Sequence, residues 1–334
     1  MPAIPLPSVL LGDGLNSAPL GFGGMGLSST YGEADPEDSL RTLAHALDRG
    51  ITLFDTANIY GNGGNEELFA RFIRGRRERV TLATKFGLLS PPDPGGHVAR
   101  GDAPYVRASL EASLARLGTD YVDLYYYHRV DTRVPIEETV GALAELRRAG
   151  LIRHIGLSEV TGPELERAAA IAPIAAVQSE WSLWSRDVEA AVIPTAARLG
   201  VGFVPYSPLG RGFLAGAVPA DGVPADDLRS RFPRYSEELL AANLGIVTAV
   251  RDIAERLETS PASVALAWLW AAGRRAGIAT VPIPGTRRAD RVDSNLAALD
   301  VEFPAEDLRT LDGLYATVSG ARSHQPAAIS SGRE

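Results

Sequence analysis

Short apolar runs alternate with amphipathic helical stretches along almost the whole chain, and few folds accept that order. The runs are PLGFG (19–23), TLFD (52–55), VTLATK (80–85), VDLYYYH (122–128), LIRHIGL (151–157), IAAVQS (174–179), VGFVPY (201–206) and IATVPI (278–283). Helices are expected near 37–49, 65–74, 104–117, 136–149, 163–171, 187–199 and 242–271. In the third of these, Val106, Leu110, Leu114 and Leu117 recur at helical spacing and make one apolar face. Asp35 before Pro36 is a helix-start signal, and Gly50, Gly118, Gly150 and Gly200 each fall between a helix and the next strand, as helix-ending glycines do. Strands that alternate with helices pair in parallel, which predicts an α/β fold of the (β/α)8 TIM-barrel type. A single domain over residues 1–334 is expected, with a core of about 18–315 and a flexible tail over 316–334.

The long polar inserts LSSTYGEAD (27–35), GLLSPPDPGGHVARGDA (87–103) and the stretch 211–238 all follow strands. In a barrel, that side builds the mouth of the site. Gly21, Gly23 and Gly26 match the spacing GxGxxG, which in a dinucleotide-binding fold turns straight into a helix. Here LSSTYGEADP intervenes before any helix, so a glycine-rich barrel loop is the expected structure.

Composition narrows the chemistry. With no cysteine, disulfides, thiol nucleophiles and cysteine-ligated metal sites are excluded. No HxxxH or HExxH spacing occurs among the five histidines, so no metal site is expected. A formal net charge of -8 speaks against nucleic acid or an anionic membrane as the main partner. The start of the chain reads as neither a leader nor a membrane span, and a cytoplasmic enzyme is the expectation.

The polar residues at the strand ends would share one mouth: Asp55 after the second strand, Lys85 after the third and His128 after the fourth, with Tyr60 on the Asp55 loop. Each alone reads as well as a turn, packing or structural residue. Together they suit proton donation to a carbonyl oxygen. A phenol ordinarily titrates near ~10, and a neighbouring ammonium is expected to lower that value. Lys85 is the only lysine of the chain, whose other basic side chains, histidine aside, are all arginine. An ammonium is compact enough to meet one phenol and one carboxylate at once, where a planar guanidinium is not. A Schiff-base barrel enzyme with Lys85 as nucleophile is the alternative, and it would need a neutral amine.

FDTANIYG, LATKFG, DLYYYHRVD, IGLSEV, VQSEWSLW, VPYSPLGRG and IPGTRRADRVDSN occur in the order found in the aldo-keto reductases, and the chain resembles that family over about 18–315. It looks closest to the branch with HRVD, the pyridoxal-reductase-like aldehyde and ketone reductases. The resemblance implies NADPH-dependent reduction of a small-molecule aldehyde or ketone, with NADH the lesser expectation. It places the catalytic tetrad on Asp55, Tyr60, Lys85 and His128, with Tyr60 as proton donor. It places the nicotinamide carboxamide on Ser158 and Gln178, the nicotinamide ring on Tyr206, and the pyrophosphate along Ser207, Leu209, Gly210 and Arg211. Gly24, Met25 and Asp55 complete that end of the cofactor site. Some relatives of this fold regulate more than they catalyse, which leaves a nicotinamide-binding sensor or regulatory subunit with slow turnover as a further alternative.

At the far end, Pro284-Gly285 is followed by donors and a helix start near Ala289, which reads as an anion site in its own right or as a solvated basic cap. The resemblance implies that Pro284, Gly285, Thr286, Arg287, Arg291 and Asn295 hold the adenosine end with its ribose phosphate. Two positions depart from the family pattern: Gly285 stands where many members have lysine, and Ser294 where many have glutamate. Ser158-Glu159 replaces the usual Ser-Asn pair. Substrate contacts are expected from Tyr31, Tyr60, His128, Arg129, Trp181 and Trp184, the tryptophans suggesting an apolar or aromatic carbonyl compound. Asn58 and His154 read as structural. The arginine-rich loop 225–238 reads as a lid, a substrate contact or a solvated loop.

Overall fold

The computed structural model describes residues 6–28, 32–218, 223–224 and 227–334. Seven parallel strands line up in sequence order: β3 (Phe22–Gly23), β4 (Leu53–Asp55), β5 (Thr81–Phe86), β6 (Val122–Tyr127), β7 (Ile152–Ser158), β8 (Ala176–Glu180) and β9 (Gly202–Tyr206). The expected eighth strand, 278–283, is in place but reduced to a bridge between Phe203 and Thr280. It still closes the barrel. Val281 N–H donates to Phe203 O at 3.0 Å and Ile283 N–H to Pro205 O at 3.1 Å, while Gly21 N–H donates to Pro282 O at 2.9 Å and Gly23 N–H to Pro284 O at 3.3 Å. Pro282 and Pro284 have no N–H to return toward β3, so the last stave cannot form a full ladder there.

Side-chain alternation sorts each strand into an inner and an outer line. On β6, Leu124 and Tyr126 join Leu53, Ala83, Ala176 and Val204 in a core inside the barrel, while Tyr125 and Tyr127 pack outward against the helices. Opposite Tyr126 stands Gly156, where a Cβ would lie 2.3 Å from the tyrosine ring. The inner line then continues upward by two: Leu53 to Asp55, Ala83 to Lys85, Tyr126 to His128, Gly156 to Ser158, Ala176 to Gln178 and Val204 to Tyr206. The site residues are thus the next rung above the inner core.

Helices α1 (Pro36–Asp48), α2 (Gly64–Ile73), α3 (Ala103–Leu117), α4 (Ile136–Arg148), α5 (Gly162–Ile171) and α6 (Val192–Arg198) cover the outside of the barrel. Their starts follow local chemistry. Asp35 accepts from Asp38 N–H and Asp102 from Tyr105 N–H, each ahead of a proline in the first turn, and Thr161 and Glu164 form a capping box. The single helix expected over 242–271 is two, α7 (Glu237–Arg256) and α8 (Pro261–Ala276). Ser260 caps the second, and Pro261 at its first turn cannot continue the first. Helices α9 (Ala289–Ala297) and α10 (Ala305–Gly313) follow.

Two further features depart from the sequence expectation. A small hairpin, β1 (Val9–Leu10) with β2 (Asn16–Ser17), puts Leu11 and Leu15 into the inner core, where Gly12 N–H donates to Ala175 O at 2.9 Å. It plugs the end of the barrel opposite the strand C-termini. The expected loose tail over 316–334 is instead packed: Arg322, Ile329 and Ser330 are buried, and two arginines tie the segment to the mouth. The reason is charge pairing with residues far upstream, which local composition does not reveal. Among the described residues, no helix is long and apolar enough to cross a membrane.

Candidate active site

Lys85 is fully buried at the inner end of β5, and three oxygens converge on its ammonium. It donates to Asp55 Oδ1 in a short ion pair, to the carbonyl of Thr56 at 2.8 Å and to Tyr60 Oη at 3.3 Å. The other Asp55 oxygen accepts from Gln178 Nε2 at 2.8 Å. Tyr60 sits on the turn between β4 and α2, and its ring meets His128 edge to face, with centroids 6.0 Å apart. The four expected catalytic side chains are therefore one cluster at the mouth.

The electrostatics correct one expectation. Burial pushes the Tyr60 phenol above its ordinary value; the Lys85 charge pulls back, with Asp55 opposing it. The net direction is upward, opposite to the lowering expected from Lys85 alone, because desolvation outweighs the ammonium. Burial likewise raises Asp55 against the pull of Lys85. For Lys85, burial acts to lower the value, but Asp55 and Tyr60 outweigh it and the amine stays above its ordinary range. Burial, then Arg129 and Lys85, push His128 well below the usual imidazole value, which keeps the ring neutral near pH 7. Its Nδ1 is enclosed with no hydrogen-bond partner among the described residues.

A cleft of about 840 Å³ runs from this cluster across the mouth. At the Tyr60 end it is lined by Asp55, His128, Arg129, Ser158, Gln178 and Tyr206, and farther along by Ser207, Pro208, Leu209, Arg211 and Gly212. Ser207, Gly210, Arg211 and Gly212 all have positive φ, so this loop turns repeatedly through the left-handed region. The far end is lined by Pro284, Gly285, Thr286, Arg287, Arg291, Ser294 and Asn295, beside the start of α9. A Cβ at Gly285 would lie 2.6 Å from the carbonyl of Gly23, so glycine lets these two loops touch. Ser294 shares a hydrogen bond with Ser260, the cap of α8.

Not every expected site residue reaches the cleft. Trp181 and Trp184 are 1% and 2% exposed and belong to the core: Trp181 donates to Glu189 and packs on Phe203, and Trp184 stacks on Phe213 at 3.9 Å. Gly24 and Gly210 lie behind the lining, Gly24 against the Phe69 ring and Gly210 with its carbonyl on Tyr235 Oη. Tyr31 falls outside the described residues. Of the arginine-rich loop, Leu228, Arg229 and Phe232 line the cleft, while Arg234 is buried against Trp184 O and Ser185 Oγ. Asn58 keeps a buried Oδ1 without a partner among the described residues, and His154 pairs with Asp13 at 3.0 Å, away from the cleft.

Other residues of the mouth were not foreseen. Thr56 contributes through its carbonyl, which no side-chain pattern signals. Glu159 is wholly buried at the end of β7, and Arg322 reaches it from the chain's last segment. Arg322, Ser323 and Ile329 line the cleft.

Residues 19–316 match the model of the aldo/keto reductase family. The chain is 43% identical over 300 residues to "Probable aldo-keto reductase 1" of Glycine max, covering 89% of this chain and 85% of that one. Among solved structures it resembles a glycerol dehydrogenase of Gluconobacter oxydans, with a TM-score of 0.82, 26% identity and 93% and 95% of the two chains covered. It also resembles a thermostable aldo-keto reductase crystallised with the inhibitor epalrestat, with a TM-score of 0.73, 29% identity and 92% and 100% covered. Barrel, strand-end cluster and sequence likeness agree, and the chain belongs to the aldo/keto reductase family, whose members are NAD(P)H-dependent oxidoreductases acting on small carbonyl compounds.

Proposed function

We propose that this protein reduces an aldehyde or ketone to an alcohol with NADPH, and that Tyr60 is its acid. The observation that carries the proposal is the Asp55–Lys85–Tyr60 chain opening, beside a neutral His128, into one end of a long cleft with anion-binding chemistry at the other.

When bound, the cofactor supplies the hydride. Tyr60 Oη gives its proton to the substrate oxygen, and the Lys85 ammonium 3.3 Å away stabilises the phenolate left behind. Because burial holds the phenol up, that proton is present at neutral pH, and Lys85 matters most once it has left. Asp55 and the Thr56 carbonyl fix the ammonium in place. His128, uncharged, donates one ring N–H to the carbonyl oxygen and sets its direction.

The remaining lining fits a dinucleotide by its donor set. Ser158 and Gln178 offer hydroxyl and amide groups at the nicotinamide end, with the ring of Tyr206 as a platform. The changes of hand from Leu209 to Gly210 and from Gly212 to Phe213 suit the pyrophosphate, since successive residues of opposite hand make concave anion sites. Thr286, Arg287, Arg291 and the start of α9 suit the ribose phosphate, which favours NADPH. The apolar part of the cleft comes from Met25, Ile59, Leu88, Phe232 and Ile329 in place of the two tryptophans, and it keeps an apolar or aromatic carbonyl compound as the proposed substrate class. A Schiff base on Lys85 is disfavoured by the same ion pair, which keeps the amine charged.

Titration with NADPH and NADH, followed by fluorescence quenching, and a screen of aldehydes and ketones for loss of NADPH absorbance test the proposal. NADPH is expected to bind more tightly, and turnover to follow it. Binding of neither cofactor would refute the proposal, and a preference for NADH would refute its phosphate site.

A further inference from the structure

Glu159 carries the densest set of bonds at the mouth. It adopts a φ of 53°, a left-handed conformation that glutamate rarely takes unless its surroundings impose it. Its carboxylate is wholly buried and accepts from both terminal nitrogens of Arg322, at 3.0 and 2.8 Å. It also accepts from Tyr206 Oη at 2.8 Å, from Glu180 N–H at 3.1 Å and from Ser330 N–H at 3.1 Å. Arg322 further pairs with Asp187 through Nε at 2.9 Å, and Arg333 adds bonds to the Glu159 carbonyl and to Glu164. Residues more than 160 positions apart in sequence thus meet on one carboxylate.

Tyr206 is where this matters for the reaction. Its ring lines the cleft, and its hydroxyl ends on the same Glu159 oxygen that Arg322 Nη1 holds. With Arg322 gone, that carboxylate would be buried without its counter-charge and would have to move or take up a proton. Movement would release the Tyr206 hydroxyl, and protonation would weaken the charge-assisted bond that fixes the ring.

We propose that Arg322, acting through Glu159, is a positioning residue that sets the plane of the Tyr206 ring, and that segment 322–334 is thereby a permanent wall of the nicotinamide end of the cleft. This rests on the reading that the cleft takes a nicotinamide cofactor. In this role Arg322 acts through Glu159 and Tyr206, holding the surface against which the ring of the cofactor would lie.

The test is a double-mutant cycle on Arg322→Met and Tyr206→Phe, the second of which keeps the ring and loses only its anchor. For each protein the readouts are Kd for NADPH, kcat, and deuterium transfer from NADPH labelled on one or the other face of the nicotinamide. Each single variant is expected to lower kcat by roughly tenfold and to leak hydride from the wrong face, with substrate KM nearly unchanged, as a misplaced platform would do. The double variant is expected to be no worse than either single one, because both cut the same linkage. Arg322→Lys, which restores a charge, is expected to recover part of kcat. If Arg322→Met does not fold, Tyr206→Phe and Glu159→Gln decide by the same readouts. Unchanged face selectivity in folded variants, or losses that simply add, would overturn the proposal. If the unaltered protein fails to bind NADPH, the cofactor reading falls first.

Discussion

Two of the buried ion pairs at the mouth of this barrel, Lys85–Asp55 and Glu159–Arg322, are built in opposite ways. Lys85–Asp55 joins neighbouring strands, and its cation is shared with the Thr56 carbonyl and a phenol. Glu159–Arg322 joins a strand end to the chain's last segment, and its anion is saturated by donors. Burial leaves the Asp55 carboxyl above its ordinary value. Burial acts the same way on Glu159, yet Arg322 and the surrounding donors hold it down at about 2. A carboxylate that remains partly frustrated can respond when a proton leaves its neighbour, and one fully satisfied holds its surroundings still. The first pair is suited to chemistry and the second to architecture.

That contrast can be broken at either end. The largest effect is expected from Lys85→Arg. A guanidinium keeps the charge but is too broad for a pocket closed by three oxygens, so the variant should fold, bind NADPH, and lose roughly 10²–10⁴ of kcat. Turnover near that of the unaltered protein would mean that any cation serves and that the single lysine carries no chemical meaning.

At the other pair, the expected effect is on stability. Glu159 has a folded value of about 2 against an ordinary 4.5, so its contribution is fully present above pH 4.5 and fades as pH falls toward 2. Glu159→Gln should therefore melt at lower temperature than the unaltered protein at pH 7, and the two should converge at the acid end of that window. A constant gap in Tm down to pH 2 would show that the lost stability comes from packing and not from the charge.

The smallest effect is expected where the sequence suggested a substrate contact and the structure shows a core residue. Trp184→Phe should cost about 1 kcal/mol of stability through lost packing, and change KM by less than about threefold. A large, substrate-dependent change in KM would return Trp184 to the pocket.

How much of this was legible in the sequence follows the same division. Asp55, Lys85, His128, Ser158, Gln178 and Tyr206 stand in or just past the C-terminal halves of strands whose alternation also packs the inner core, so one local pattern announces both barrel and site. Tyr60 lies five residues beyond Asp55, within reach of the same reading. The eighth stave was visible as an apolar run, but its two prolines decide how it pairs, and that depends on which neighbour needs the N–H. The break at Pro261 was legible in hindsight, since Ser260-Pro261 repeats the start signal of Asp35-Pro36. Arg322 was not legible. An arginine in a polar, glycine-containing tail looks solvated until the fold brings Glu159 and Asp187 to it. Trp181 and Trp184 misled because tryptophan at a strand end suits a pocket and a core equally well. The direction of Tyr60's shift was missed because a sequence shows the neighbouring charge and hides the depth of burial.

The central claim is that Tyr60 gives the proton, and Tyr60→Phe tests it most directly. The ring and its contact with His128 survive, and only the hydroxyl beside Lys85 is lost. Single-turnover reduction should be measured with cofactor and substrate both saturating, beside Kd for NADPH. The expected result is an unchanged Kd with the rate of reduction down by at least ~10², the usual loss when a positioned acid is removed. An unchanged Kd with an unchanged rate would contradict the claim and move the proton to another group.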